Sequence, residues 1–230
     1  MTLPRLSPLP WITVAPERCD DECRRALNVV IATLALVLAL PLMLIIAVLI
    51  KLTSRGPVLF VQQRVGLDRR DLSHAGGNAR RHADHGGLTF TMYKFRTMRV
   101  NSGPAPEVWA QRDDPRVTSV GRVLRKFRLD ELPQLWNVLV GDMNIVGPRP
   151  EQLTIFASLR EQIKEYPRRQ CVLPGITGLA QINLAYDSSV DDVREKLNYD
   201  LDYIRQRSVF EDLKIMLRTP AVMLGRRFGW

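Results

Sequence analysis

Residues 26–50 read ALNVVIATLALVLALPLMLIIAVLI and form a run that is almost wholly apolar. As a helix, this run would extend about 37 Å at about 1.5 Å per residue, which is enough to cross a hydrocarbon core of about 30 Å. Only Asn28 and Thr33 add mild polarity, and Pro41 lies near the middle. No small-residue cleavage pattern follows, so we expect a retained membrane segment rather than a cleaved signal peptide.

Pro41 leaves two arrangements open for this segment. A proline removes a backbone hydrogen bond and kinks a helix, although kinked helices also span membranes. Positive charge flanks both ends of the run, a pattern typical of cytoplasmic flanks. The flanking cations are Arg24, Arg25, Lys51 and Arg55. A re-entrant helix and a spanning helix are therefore about equally compatible with these residues alone.

The remainder of the chain predicts a leader and one compact domain. Prolines at positions 4, 8, 10 and 16 deny the backbone a regular helix, so residues 1–25 are predicted to be an irregular leader. Residues 26–52 are the predicted membrane helix. Residues 53–230 are predicted to form a single catalytic domain, because 230 residues leave little room for a second core. Three cysteines form no even disulfide framework, which indicates a reducing environment.

Downstream patterns predict an α+β fold that is mainly helical. Residues 58–65 and 88–95 are rich in β-branched and aromatic side chains and predict a small β-hairpin. Caps predict two helices, one after Thr118-Ser119 and one after a Ser208/Glu211 capping box. A further helix is predicted from Leu129-Asp130 to Gly141, with Pro133 in its first turn, and two more over 151–165 and 189–206. A turn is predicted at Pro174 to Gly178. The first of these helices is amphipathic and suits a membrane interface.

Charge and missing motifs narrow the function classes. The formal net charge of +9 and pI of about 9.9 suit nucleic acid, anionic lipid or a phosphorylated substrate. The sequence has no GxxxxGK[ST] loop, no GxGxxG after a strand and no HExxH, so ATP-driven and zinc-hydrolase functions lose support. The three histidines, His74, His82 and His85, lie in a polar segment, 67–88, that predicts a solvated loop rather than a metal site.

The adjacent acids Asp130 and Glu131 are the main candidates for chemistry. Neighbouring carboxylates repel one another, so such a pair beside apolar residues usually has cations or a metal to neutralise it. The basic residues that precede the pair are Arg122, Arg125, Lys126 and Arg128. The alternative is a charge pair at the start of a helix, where the helix dipole favours acids.

Three further segments suit an anionic ligand. Residues 93–98, YKFRTM, place Lys94 and Arg96 on one face of a strand. Residues 147–150, GPRP, hold Arg149 between Pro148 and Pro150, and residues 174–178, PGITG, predict a tight turn. A planar guanidinium on a rigid backbone gives bidentate contacts to phosphate with little loss of entropy. Each segment alone would also be compatible with an ordinary turn.

Six ordered motifs resemble the bacterial sugar transferase family, the monotopic phosphoglycosyl transferases. The resemblance runs from the apolar segment nearly to the C-terminus. The motifs are GPVLF at 56–60 with QRVG at 63–66, YKFRTM at 93–98, DPRVT at 114–118, LDELPQL at 129–135, GPRP at 147–150 and PGITG at 174–178. One departure is Leu40, where some members have a serine before the proline, and the loop 67–88 is longer than in compact members.

The resemblance implies a membrane enzyme with a covalent mechanism. It implies that Pro41 makes the membrane helix re-entrant on the cytoplasmic face of the bacterial inner membrane. It further implies that Asp130 attacks a UDP-sugar, releases UMP, and passes the phosphosugar to a polyprenyl phosphate. The implied binding residues are Asp130 and Glu131 for Mg²⁺, Arg125, Lys94 and Arg96 for phosphates, and Pro148, Arg149 and Pro150 for the nucleotide.

Two other functions follow from the same residues. A membrane anchor with a basic surface is compatible with a non-enzymatic scaffold, which would release no UMP. Charge alone also allows a membrane-tethered nucleic-acid binder, which would show strongly salt-dependent binding. The motifs favour the transferase and no nucleic-acid partner.

Overall fold

A computed structural model describes residues 18–68, 87–100, 114–184 and 190–224. The described part is mainly helical, with two small two-stranded sheets. Most of the predicted leader, the three histidines and most of the loop 67–88 lie outside the described residues.

The membrane helix α1, Arg18–Thr53, is longer than predicted, with 36 residues. It begins inside the segment 1–25 that was predicted to be irregular, and this part of the prediction is wrong. Two causes lie in the first turns: Asp20 and Asp21 favour the positive end of the helix dipole, and Arg24 is buried against the domain. The helix continues through Pro41, so this proline does not end it. By length and composition α1 is able to cross a membrane.

One stripe of α1 packs lengthwise against the domain, while its other faces stay exposed and apolar. Ala32 packs near the middle of the helix, and Ile46 and Ile50 pack near its C-terminal end. In contrast, Leu38 is 81% exposed and Leu52 is 78% exposed. An exposed apolar helix face of this kind is typical of a membrane or protein interaction surface.

The predicted hairpin is confirmed. Strands β1, Leu59–Val65, and β2, Thr89–Phe95, pair antiparallel, from Leu59 opposite Phe95 to Val65 opposite Thr89. β2 leads directly into Arg96, so the strand carries the predicted cations to the end of the membrane helix.

The capped helix after Thr118 is also confirmed, but the helix predicted from Leu129 to Gly141 is divided. α2, Ser119–Lys126, has the Thr118 hydroxyl accepting a hydrogen bond from the Gly121 amide at 2.9 Å. A 3₁₀ turn, Leu129–Glu131, then precedes α3, Gln134–Val140, which ends at Gly141 with φ of 94°. Pro133 has no amide hydrogen, so the regular ladder starts only after it.

A short parallel sheet, which was not predicted, joins two segments that are distant in the sequence. β3, Asn144–Val146, pairs with β4, Gly175–Thr177, in the segment predicted only as a turn. A Cβ on Gly175 would collide with the backbone of Gly147, so this approach requires glycine. The remaining elements are α4 Leu153–Gln162, a 3₁₀ helix Tyr166–Cys171, α5 Leu179–Asn183, α6 Val190–Gln206 and α7 Val209–Leu224.

Candidate active site

A strained backbone turn places the two acids between α2 and α3. Arg128 has φ of 55° and ψ of 18° and is the one non-glycine residue with positive φ among the described residues. Such a conformation costs on the order of 1–3 kcal/mol and persists only where the surroundings hold it. The following 3₁₀ turn buries both Asp130 and Glu131. The acids therefore lie in a short 3₁₀ turn ahead of α3 rather than in the first turn of one long helix.

Glu131 gathers three cations on one oxygen. Its Oε1 lies 2.7 Å from Arg149 Nη2, 3.1 Å from Lys94 Nζ and 3.5 Å from Arg128 Nη1. Burial disfavours the ionised carboxylate, but the three cations outweigh burial and hold the pKa of Glu131 well below its usual range. Glu131 is therefore ionised at neutral pH and aligns Lys94 and Arg149 beside its neighbour.

Asp130 has the opposite environment. Burial, and then the negative charge of Glu131, raise the pKa of Asp130. Its Oδ1 is buried and accepts no hydrogen bond from any residue that the structure describes. A carboxylate oxygen with a raised pKa and no donor is more basic and less shielded than an ordinary one. The two acids therefore have different environments, because Glu131 is paired with cations while Oδ1 of Asp130 accepts no hydrogen bond from the described residues.

Two of the three predicted phosphate-binding cations lie near this pair. Lys94 contacts Glu131 directly, and burial lowers the pKa of Lys94 while Glu131 opposes that shift. Arg125 is held by its Nε, which donates to Thr97 Oγ1 at 2.9 Å, and its charge acts on Asp130. Both positions suit an incoming phosphate.

Arg96, the third predicted cation, has different partners. Its Nη2 donates to the Ser54 carbonyl at 2.8 Å and to Ser54 Oγ at 3.0 Å, and its Nη1 donates to the Arg55 carbonyl. Ser54 and Arg55 follow the last residue of α1, where carbonyls no longer have helical partners, so the guanidinium satisfies them. In this structure Arg96 therefore fastens the end of α1 to β2, and it does not join the cations on Glu131.

The segment 148–151 is held at every carbonyl oxygen. The prolines predict a rigid segment, and the structure adds four donors from three different parts of the chain. The donors are the Gly175 amide to Pro148 O at 2.9 Å, Arg169 Nη2 to Arg149 O at 2.9 Å, Arg64 Nη1 to Pro150 O at 3.1 Å, and the Val65 amide to Glu151 O at 3.0 Å. The Arg149 guanidinium therefore reaches Glu131 from a fixed backbone.

A buried ion network behind this segment was missed by the sequence reasoning. Arg169 is 1% exposed and lies 2.7 Å from an oxygen of Asp200 and 3.3 Å from Glu151 Oε1. Lys196 contacts the same Glu151 oxygen at 2.9 Å. One sequence signal could have identified this network. On α6, Lys196 and Asp200 lie among the apolar residues that face the core, so their charges are buried and need partners.

The predicted magnesium site fits Asp130 better than Glu131. The described residues contain no group of three or more His, Cys, Asp or Glu side chains that could hold a metal ion. The bare Oδ1 of Asp130 is a suitable oxygen ligand for Mg²⁺, which commonly takes one or two carboxylates and completes its shell with substrate phosphates and water. Oε1 of Glu131 is occupied by three cations instead.

Comparison with known proteins identifies relatives along most of the chain. Residues 19–226 match the family model described as bacterial sugar transferase. An Aeromonas hydrophila UDP-N-acetylgalactosamine-undecaprenyl-phosphate N-acetylgalactosaminephosphotransferase is 43% identical over 201 residues, which is 87% of this chain and 43% of that protein. A Caulobacter vibrioides UDP-glucose:undecaprenyl-phosphate glucose-1-phosphate transferase is 41% identical over 97% of this chain and 76% of its own length.

A third relative has nearly the same extent as this chain. The exopolysaccharide production protein ExoY of Sinorhizobium fredii is 38% identical over 95% of this chain and 93% of its own length. The chain thus spans less than half of the Aeromonas protein but most of the Caulobacter and Sinorhizobium proteins. These matches and the six ordered motifs agree, and the chain belongs to the bacterial sugar transferase family.

Proposed function

We propose that this protein transfers a sugar 1-phosphate from a UDP-sugar to undecaprenyl phosphate and so begins a polysaccharide. The relatives named above support the substrate classes, because their names specify UDP-sugar donors and undecaprenyl phosphate acceptors. The observation that carries the proposal is the buried Asp130, whose Oδ1 has no donor among the described residues while cations surround its neighbour.

The first step forms a covalent bond to Asp130. A carboxylate oxygen of Asp130 attacks the phosphorus that bears the sugar, and the bond from that phosphorus to the bridging oxygen breaks. UMP leaves with the electron pair, and an acyl phosphosugar remains on the protein. The raised pKa of Asp130 favours this role, because a more basic carboxylate is a better nucleophile.

The second step returns the carboxylate. An oxygen of the polyprenyl phosphate attacks the same phosphorus, the bond to Asp130 breaks, and a polyprenyl diphosphate sugar leaves. Lys94 and Arg125 offset charge on the phosphates in both steps, and Arg149 holds the donor from its fixed backbone. Glu131 keeps Lys94 and Arg149 in position.

Magnesium is part of the proposal. Asp130 would hold Mg²⁺, which when bound would offset negative charge on the phosphoryl oxygens and on the leaving group. The bare Oδ1 supports Asp130 as its protein ligand.

The proposed location is the cytoplasmic face of the inner membrane, with α1 re-entrant. Asn28 and Ile50 lie about 33 Å apart along a helix, yet both pack against the same domain. A helix that crossed the bilayer would separate its ends by that thickness, so contact of both ends with one domain favours entry and exit on one side. Apolar side chains that are exposed on α2, directly after it and on α3 support interfacial helices beside it: Val123, Phe127, Trp136 and Val140.

Labelling of cysteines on both sides of α1 tests the re-entrant helix. In a background without Cys19, Cys23 and Cys171, single Glu22→Cys and Thr53→Cys variants are exposed to an impermeant maleimide in spheroplasts. We expect both cysteines to react only after the membrane is permeabilised. Reaction of one cysteine, but not the other, in intact spheroplasts would contradict re-entry and indicate a spanning helix.

UMP release tests the transferase proposal. Purified protein with undecaprenyl phosphate, Mg²⁺ and a panel that includes UDP-glucose and UDP-N-acetylgalactosamine is expected to release UMP, and EDTA is expected to stop the release. With donor alone, we expect at most one UMP per protein molecule and a sugar-phosphate mass on the peptide that contains Asp130. UMP release that always requires the acceptor would exclude the covalent intermediate, and no release with any donor would favour the scaffold alternative.

A further inference from the structure

An apolar cleft opens beside the carboxylate pair on the side of the membrane helix. It has a volume of about 230 Å³ and lies between α1, α3, α5, α7 and β4. Its apolar wall includes Ala35, Leu135, Ile176, Ile182, Val222 and Met223, and its charged end is formed by Lys126, Arg128 and Glu131. Resting on the proposed function, we propose that this cleft binds the phosphate-proximal part of the acceptor's prenyl chain.

The charged end of the cleft matches the head of such a lipid. Lys126 and Arg128 both line this end of the cleft, and Arg128 Nη1 is 3.5 Å from Glu131 Oε1. A phosphate that approached these cations would lie beside Glu131, the residue directly after Asp130. It would therefore lie within the active site. Cations at the mouth of an apolar cleft complement a ligand with an anionic head and a hydrocarbon tail.

The α1 side of the cleft adjoins an exposed apolar face of that helix. Ala35 lines the cleft from α1, and Leu34 and Leu38, on the adjacent face of the helix, are 58% and 81% exposed. A hydrocarbon chain that lies along this face of α1 in the bilayer could therefore enter the cleft without crossing water. A soluble nucleotide sugar has no corresponding reason to enter from this side.

Most polar groups in the wall already have protein partners, the exception being Gln181 Oε1, which is buried without a hydrogen bond from the described residues. Thr177 Oγ1 and Thr219 Oγ1 form a hydrogen bond of 2.9 Å, and Thr219 Oγ1 also donates to the Ile215 carbonyl at 2.7 Å. Gln181 Nε2 donates to the Ile176 carbonyl at 2.9 Å. The wall thus presents mainly hydrocarbon, which suits a prenyl chain better than a sugar, a base or a peptide backbone.

Filling the cleft is the first test. Val222→Trp is expected to raise the KM for undecaprenyl phosphate about tenfold or more, the effect of losing burial for one or two methylene groups. The first half-reaction, measured as exchange of labelled UMP into UDP-sugar without acceptor, is expected to stay at the wild-type rate. Leu217→Trp on the same helix is the matched control, because Leu217 is 80% exposed and lies outside the cleft. An unchanged acceptor KM with intact exchange would overturn the inference.

A second measurement uses the wild-type protein, so its result does not depend on whether a variant folds. A polyprenyl phosphate with a diazirine in its first isoprene units is expected to cross-link to peptides of β4 and α7 that line the cleft. Cross-links confined to the outer face of α1 would overturn the inference. Absence of UMP exchange in the wild-type protein would instead defeat the proposed function, so the two failures are distinguishable.

Discussion

Replacing Asp130 by Asn is expected to lower the rate of UMP release by about 10³-fold or more, because an amide cannot accept the phosphosugar. The substitution is nearly isosteric. It also leaves the packing intact, since the Oδ1 of Asp130 accepts no hydrogen bond from the described residues. The raised pKa means that burial already disfavours the charged form of this side chain. We therefore expect the melting temperature of the variant in detergent to equal or exceed that of the wild type.

The control for this variant is Asp202→Asn on α6. The Asp202 side chain is 51% exposed and pairs with Arg205 across one turn at 3.1 Å. It should keep wild-type UMP release and melting temperature. An Asp130→Asn protein that retains full activity with Mg²⁺ present would remove Asp130 from the nucleophile role, whatever its melting temperature.

Replacing Arg169 by Met is expected to destabilise the fold by about 3–5 kcal/mol, the usual cost when a buried ion pair loses one partner. The loss leaves Asp200 buried with Lys196 as its remaining nearby cation. It also removes the hydrogen bond from Arg169 Nη2 to the Arg149 carbonyl. Chemical denaturation in detergent measures the first effect, and a raised KM for the UDP-sugar measures the second.

Two comparisons separate this effect from simple loss of an arginine. Arg194→Met removes a cation from the same region, but its side chain is 59% exposed and its partner Asp191 is 89% exposed, so we expect a change of about 0–1 kcal/mol. Adding Asp200→Asn to Arg169→Met is expected to restore part of the stability, because the unpaired charge is gone. Equal destabilisation by Arg169→Met and Arg194→Met would contradict the buried network.

Local chemistry explains what the sequence could predict. The hairpin follows from side-chain alternation, and the start of α2 follows from the Thr118 hydroxyl, which acts on an amide three residues away. The grouping of Lys94 and Arg149 with the acids came from motifs rather than from geometry. The same motifs also placed Arg96 among the phosphate ligands, but its partners depend on where α1 ends.

Contacts between residues that are distant in the chain explain which features could not be predicted from the sequence. α1 extends back to Arg18 partly because Arg24 Nε reaches Asp212 at 2.9 Å, and no local pattern encodes that pairing. The strands β3 and β4 have three residues each, too short for a periodic signal. The Arg169 network depends on three segments that meet only in the folded chain.

The segment 148–151, with each carbonyl oxygen already engaged, behaves as a fixed template rather than an adaptable loop. A backbone segment held in this way cannot change its conformation to fit different sugars. We therefore expect preference among UDP-sugars to change with side chains elsewhere around the donor. A swap of that preference achieved by exchanging this segment alone with the Aeromonas relative would contradict such a division of labour.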